Sequence, residues 1–172
     1  CLTVMADVPL PARMLDPKSP AEAWNVIGIA TANVERLIRE KRALEISDQI
    51  SLLSPALRML ARSPVKPEAG PLLEGQTAQA FRLVNIITQN SMVENIDAMP
   101  RVFDNLKQVL SDLAKGFDPA IVQGEVYHCL THPDALAFKS GEKCPQCQQL
   151  LVPRRIPYSF IHARADKPGV NL

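Results

Sequence analysis

No histidine precedes His128, aromatic residues make up only 5% of the chain, and the net charge is +1. The first absence removes the commonest general base from everything N-terminal to that position. The same stretch has no glycine-rich phosphate loop and no nucleophile motif, so it carries no catalytic signature. A nearly neutral chain sets up no global field that would draw it onto DNA or an acidic membrane. Nowhere do about 18 apolar residues run together, which excludes a membrane-spanning helix by hydropathy. Apolar residues are nonetheless 47% of the chain, enough for a core. With so few aromatics, leucine, isoleucine, alanine and valine must fill it, and that composition leans toward packed helices.

Hydrophobic spacing places four helices. Residues 7 to 20 carry Pro9, Pro11, Pro17 and Pro20 and read as an extended leader. Ser19-Pro20-Ala21-Glu22 then has the form of a capping box, with proline where a backbone donor would go unused. Trp24, Ile27, Val34, Leu37, Ile38 and Leu44 recur at helical spacing and predict a first helix of about 20 residues. Ile46, Ile50, Leu53, Leu57 and Leu60 alternate by four and three, a second seam that Pro55 should kink. The run from Ser63 to Pro71 reads as a loop. Ala80, Leu83, Ile86, Ile87, Val93 and Ile96 carry a third helix. Pro100 marks a break, and Val102, Leu106, Val109 and Leu113 give a fourth seam ending near Gly116. Glu94, Asp97 and Asp104 read as a solvated face, and Met59, Met92 and Met99 as core filler.

After Asp118-Pro119 the periodicity changes. Cys129 and His132 form a C-x2-H pair, and Cys144 and Cys147 a C-x2-C pair. Each pair can bring two ligands to one ion through a tight turn. Together they supply the Cys3His set of a closed tetrahedral zinc site. Val126-Tyr127-His128 and Leu150-Leu151-Val152 are short β-prone runs flanking the pairs, and Ser140-Gly141 is a turn signal. The segment reads as a small ribbon that gains its folding energy from metal, on the order of 10 kcal/mol for structural zinc. His128, beside Cys129, should point to the opposite face of an extended strand, and His162 lies in the tail. The fold reading is thus mainly α: an antiparallel four-helix bundle over residues 20–117, with a leader at 1–19. A β-hairpin, zinc-ribbon-like module follows over 118–156, then a tail at 157–172.

The stretch Tyr127-His128-Cys129-Leu130-Thr131-His132-Pro133, then Gly141-Glu142-Lys143-Cys144-Pro145-Gln146-Cys147 and Leu151-Val152-Pro153, resembles a known heavy-metal-binding domain. That domain has the pattern Y-x-C-P-M-H-P, a short spacer, then G-K-C-P-x-C-G-M-x-L-V-P. It occurs on periplasmic adaptor subunits of copper and silver efflux systems, on some copper-transporting P-type ATPases, and beside periplasmic helical proteins. The match covers residues 127–153 and keeps the ligand positions. The family's two methionines are Thr131 and Gln149 here, the glycine after the last cysteine is Gln148, and the proline after the first is Leu130. Thioethers favour copper(I) and silver(I), so three thiolates and one imidazole without them suit zinc best, with copper or silver as the other ions the resemblance admits. The helical body loosely resembles the bundles that accompany this domain in exported metal-resistance proteins.

The resemblance implies a non-catalytic metal-binding protein of bacterial heavy-metal handling, periplasmic or exported. Its partners would be the metal ion, an efflux-system or other periplasmic protein, and a second copy of the chain through the bundle. Val4-Met5-Ala6 has the small-residue spacing of a signal-peptidase site, Cys1 could carry a lipid anchor, and a segment that starts mid-chain explains both equally simply. An alternative reading is an intracellular zinc ribbon on nucleic acid. Lys139, Lys143, Arg154, Arg155, Arg164 and Lys167 would face phosphates, and Tyr158 and Phe160 would stack on bases. A thiol oxidoreductase using Cys144 and Cys147 would lack the usual βαβ setting and leave Cys129 and His132 unexplained.

Overall fold

The computed structural model describes residues 17–63, 67–122, 125–132 and 135–155. The leader up to residue 16, with Cys1, and the tail from residue 156, with Tyr158, Phe160, His162, Arg164 and Lys167, lie outside them. The protein is mainly helical, with a small antiparallel sheet near its C-terminal end. Among the described residues, no helix is long and apolar enough to cross a membrane.

Helix α1 spans Pro20–Arg39. Its N-cap is Ser19, whose Oγ accepts from the Glu22 backbone N–H at 3.2 Å. The Glu22 carboxylate reaches one residue further back than a standard capping box and accepts from the Lys18 N–H at 3.0 Å. The far end closes without glycine. Lys41 takes a left-handed conformation, φ 58. Arg42 N–H donates to Leu37 C=O at 3.0 Å and Lys41 N–H to Ile38 C=O at 3.1 Å, which is a Schellman closure. The turn places Leu44 in the next helix, 56% exposed, instead of on the α1 seam.

The expected second helix is two helices, α2 (Ala43–Ile50) and α3 (Leu53–Ala61). The chain breaks at Ser51-Leu52, ahead of Pro55. Pro55 falls in the first turn of α3, where its missing N–H deprives the helix of nothing. Their five seam residues Ile46, Ile50, Leu53, Leu57 and Leu60 are all fully buried.

After a 3-10 turn at Pro67–Ala69, α4 runs over Gly70–Met92. Gly70-Pro71 thus opens this helix and does not belong to the loop, because proline is tolerated at a helix start. A second Schellman closure ends it, with Glu94 at φ 55 and Asn95 N–H donating to Asn90 C=O at 2.8 Å. Val93 therefore leaves the helix and is 73% exposed, and Ile96 enters a 3-10 turn, Ile96–Ala98. Helix α5 spans Met99–Ala114 with Pro100 in its first turn. Glu94, Asp97 and Asp104 are exposed. Of the methionines, Met99 is fully buried and Met59 packs against the core, but Met92 is 69% exposed at the end of α4.

Trp24 anchors the core, fully buried, with its ring edge-on to Phe117 at 5.6 Å. Lys107 on α5 ties to Glu35 on α1 at 3.2 Å. The sheet order is β2-β1-β3, with β1 Glu125–His128, β2 Leu136–Ala137 and β3 Val152–Arg155, all antiparallel. Val126 and Leu136 belong to the bundle's own core cluster, whereas Tyr127 and Ala137 pack into a second cluster with Cys129, Ala135, Cys144, Cys147 and Leu151. Neighbouring strand residues face opposite sides. One face of the sheet therefore rests on the helices and the other covers the cysteines.

One buried hydroxyl joins α2 to α4. Ser91, with no exposed surface, donates from Oγ to Ala43 C=O at 2.6 Å and accepts from Ser47 N–H at 3.1 Å. Its hydroxyl thus bridges the two backbone groups of one helical turn. Ser91→Ala should lower unfolding free energy by about 1–3 kcal/mol, the usual cost of stranding buried polar partners. Urea denaturation followed by helical circular dichroism checks this, and a loss below half the lower figure would contradict the bridge.

Candidate metal centre

Both ligand pairs sit on turns whose backbone bonds are local. In the first, Cys129 N–H donates to Ala135 C=O at 3.2 Å and Ala135 N–H to His132 C=O at 3.0 Å, which folds residues 129–132 into a knuckle at the end of β1. The second begins after the left-handed Gly141, φ 85. An antiparallel bridge joins Lys143 to Leu150. Cys144 N–H donates to Gln149 C=O and Gln148 N–H to Cys144 C=O, both at 2.8 Å. That tight return forces Gln148 into the left-handed region, φ 63. In each knuckle the first cysteine sulfur also accepts a backbone N–H, from Thr131 and from Gln146, both at 3.4 Å.

The two knuckles face each other. The Sγ atoms of Cys129, Cys144 and Cys147 and a ring nitrogen of His132 all lie within 4.8 Å of one another, a group that could hold a metal ion. The nitrogen is Nδ1, at 3.6 Å from Cys129 Sγ and 3.5 Å from Cys144 Sγ. Cys129 and Cys147 sulfurs are 3.5 Å apart. A tetrahedral zinc with Zn–S near 2.3 Å and Zn–N near 2.0–2.1 Å sets its ligand atoms about 3.6 Å apart for S to N and about 3.8 Å for S to S. The three distances agree with that tetrahedron to within a few tenths of an ångström, and the donors are the borderline-soft type that zinc prefers. Cys129 and Cys144 are buried, at 2% and 0% exposure. Tyr127 and Leu151 pack beside them.

Burial pushes the Cys129 thiol up, but the backbone N–H groups of His132 and Thr131, helped by the His132 ring and Cys147, outweigh it and hold it at about 6, below the ordinary 9.0. Cys147 goes the other way. The Gln149 backbone N–H favours its thiolate, yet burial together with the neighbouring Cys129 and Cys144 sulfurs raises it. One sulfur of the cluster is thus ready to ligate at neutral pH, and another must lose a proton to do so.

Placement of the other sequence candidates is uneven. His128 pairs with Leu136 in the sheet, on the bundle side, and is outside the four-ligand group. Lys139 and Lys143 are exposed, and Arg154 and Arg155 lie on β3. The rest of the basic and aromatic set proposed for nucleic acid lies outside the described residues. Cys144 and Cys147 share their cluster with Cys129 and His132. Sequence reasoning missed the N–H···S contacts and the cross-knuckle approach of Cys129 to Cys147, which depend on turn geometry that residue types do not encode.

Comparison with protein-family models, curated proteins and solved structures returns no match.

Metal binding should respond to pH in two regimes. Above about 6, Cys129 is already ionised and Cys147 must release a proton, so affinity rises at least about tenfold per pH unit. Below about 6, Cys129 must release one too, and the slope should steepen to at least about a hundredfold per unit. Competition with a chromophoric chelator between pH 5 and 8 tests both slopes, and a flat profile would contradict the ligand set. Gln148→Gly should relieve the left-handed backbone, worth about 1 kcal/mol, and tighten zinc about fivefold in the same assay. An unchanged or weaker affinity would mean that Gln148 is not strained.

Proposed function

We propose that this chain is an exported, non-catalytic protein of bacterial heavy-metal handling, in which Cys129, His132, Cys144 and Cys147 hold one zinc ion. The observation that carries the metal reading is the convergence of those four ligand atoms within 4.8 Å, with three of the six edges at 3.5–3.6 Å, within a few tenths of an ångström of a zinc tetrahedron. Four protein ligands complete the tetrahedron and leave no open position for water or substrate, which supports a structural, storage or sensing role over catalysis. The heavy-metal and periplasmic part of the proposal rests on the motif over residues 127–153 and its resemblance to the efflux-associated domain. The helical body would then serve as the surface for a partner protein or a second copy.

Elemental analysis of protein purified without chelator, with thiols counted before and after denaturation, is the direct test. About one zinc per chain, with three thiols protected until the metal is stripped, supports the site. Copper or silver in its place would keep the efflux connection and overturn zinc. Cys144→Ser should abolish stoichiometric metal and unfold the ribbon while helical circular dichroism is largely kept, because most of the buried core belongs to the helices. A collapse of helicity would mean that the sheet's contacts through Val126 and Leu136 hold the bundle together.

A further inference from the structure

The three cluster thiols are not equivalent. Cys144 has no exposed surface and Cys129 only 2%, whereas Cys147 is half-buried and open to small solutes. The close sulfur pair runs between the knuckles, Cys129 to Cys147 at 3.5 Å, although 18 positions separate them in sequence. Cys144 sits against His132 Nδ1 and the Gln146 N–H, contacts that Cys129 matches with the same nitrogen and the Thr131 N–H, so the 3.5 Å approach and the exposure of Cys147 are what single out the pair. We propose that the site is oxidation-gated: a hydroperoxide converts Cys129 and Cys147 into a cross-knuckle disulfide and thereby expels the metal. The inference rests on the metal-binding reading and adds its regulation.

The chemistry balances in two steps. The Cys147 sulfur, a thiolate when it ligates a metal, attacks one oxygen of hydrogen peroxide, the O–O bond breaks, and Cys147 sulfenic acid forms with hydroxide as leaving group. The Cys129 thiolate then attacks that sulfur, the S–S bond forms, and a second hydroxide leaves. Two thiolates have lost two electrons in all, peroxide has gained them, and two protons from solvent turn the hydroxides into water. The sulfurs need to close only from 3.5 Å to about 2.0 Å. Cys144 and His132 remain, two ligands in place of four, too few to keep zinc in a closed site. A dithiol reductant reverses the change by thiol–disulfide exchange and restores all four ligands.

The pairing is unusual for a chain that contains C-x2-C, where Cys144 with Cys147 is the default, and this makes it decisive. The test uses the full chain carrying Cys1→Ser, loaded with zinc and treated with hydrogen peroxide while a zinc-responsive dye reports release. Trypsin separates residues 116–139, which hold Cys129, from residues 144–154, which hold the other two cysteines. The proposal expects one zinc released per disulfide, the two peptides covalently joined, fragmentation placing the bond on Cys147, and Cys144 recovered as a free thiol. Dithiothreitol should return zinc binding to its starting value. Zinc retained under excess peroxide would overturn the gating and leave the metal site intact. A bond inside residues 144–154, or one on Cys144, would overturn the pairing. Failure to load zinc at the outset would instead remove the metal-binding reading, and the gating with it.

Discussion

Three sulfurs held within 4.8 Å of one another and of a neutral imidazole nitrogen cannot all ionise cheaply unless a cation stands between them. Each thiolate formed raises the cost of the next. The opposite displacement of Cys129 and Cys147 expresses that conflict, one sulfur stabilised as thiolate by backbone N–H groups and its neighbour forced to stay protonated. The C-terminal segment has little else to hold it. Its own apolar cluster consists of Cys129, Ala135, Ala137, Cys144 and Leu151, with Tyr127 and Cys147 at the edge. Three of those seven positions are cysteine, so any ion held by the thiols would also stabilise the fold of this region.

The helical body follows a different logic. Its core is large, continuous and made of aliphatic side chains arranged around Trp24. It reaches the metal region through the sheet, since Val126 and Leu136 join the bundle core while the residues beside them, Tyr127 and Ala137, cover the thiols. A rearrangement around the sulfurs therefore acts on a strand whose other face is already committed to the helices.

Much of this architecture was legible in the chain. Periodicity located the helical segments because seam residues such as Ile46, Ile50, Leu53, Leu57 and Leu60 are buried in strict register. The convergence of Cys129, His132, Cys144 and Cys147 was legible because C-x2-H and C-x2-C each fold into a tight turn that presents its pair to one side. What escaped were the ends and breaks. Both Schellman closures use a charged residue, Lys41 and Glu94, at the position where glycine is the usual sign. The break between α2 and α3 occurs at Ser51-Leu52, and the proline that should have marked it sits harmlessly inside the next turn. Gln148 hid the second knuckle's left-handed residue in the same way, since the resembling family writes glycine there.

The two-faced sheet also bears on how the chain finds its fold. Strand side chains alternate, so a slip of β1 by one residue would turn Tyr127 toward the helices and Val126 toward the sulfurs, and would carry Cys129 away from its partners. Such slips are usually penalised from one side only, by a single hydrophobic face. Here the bundle core and the Cys3His group engage the same strand from opposite sides, so a single slip of register would be penalised on both faces.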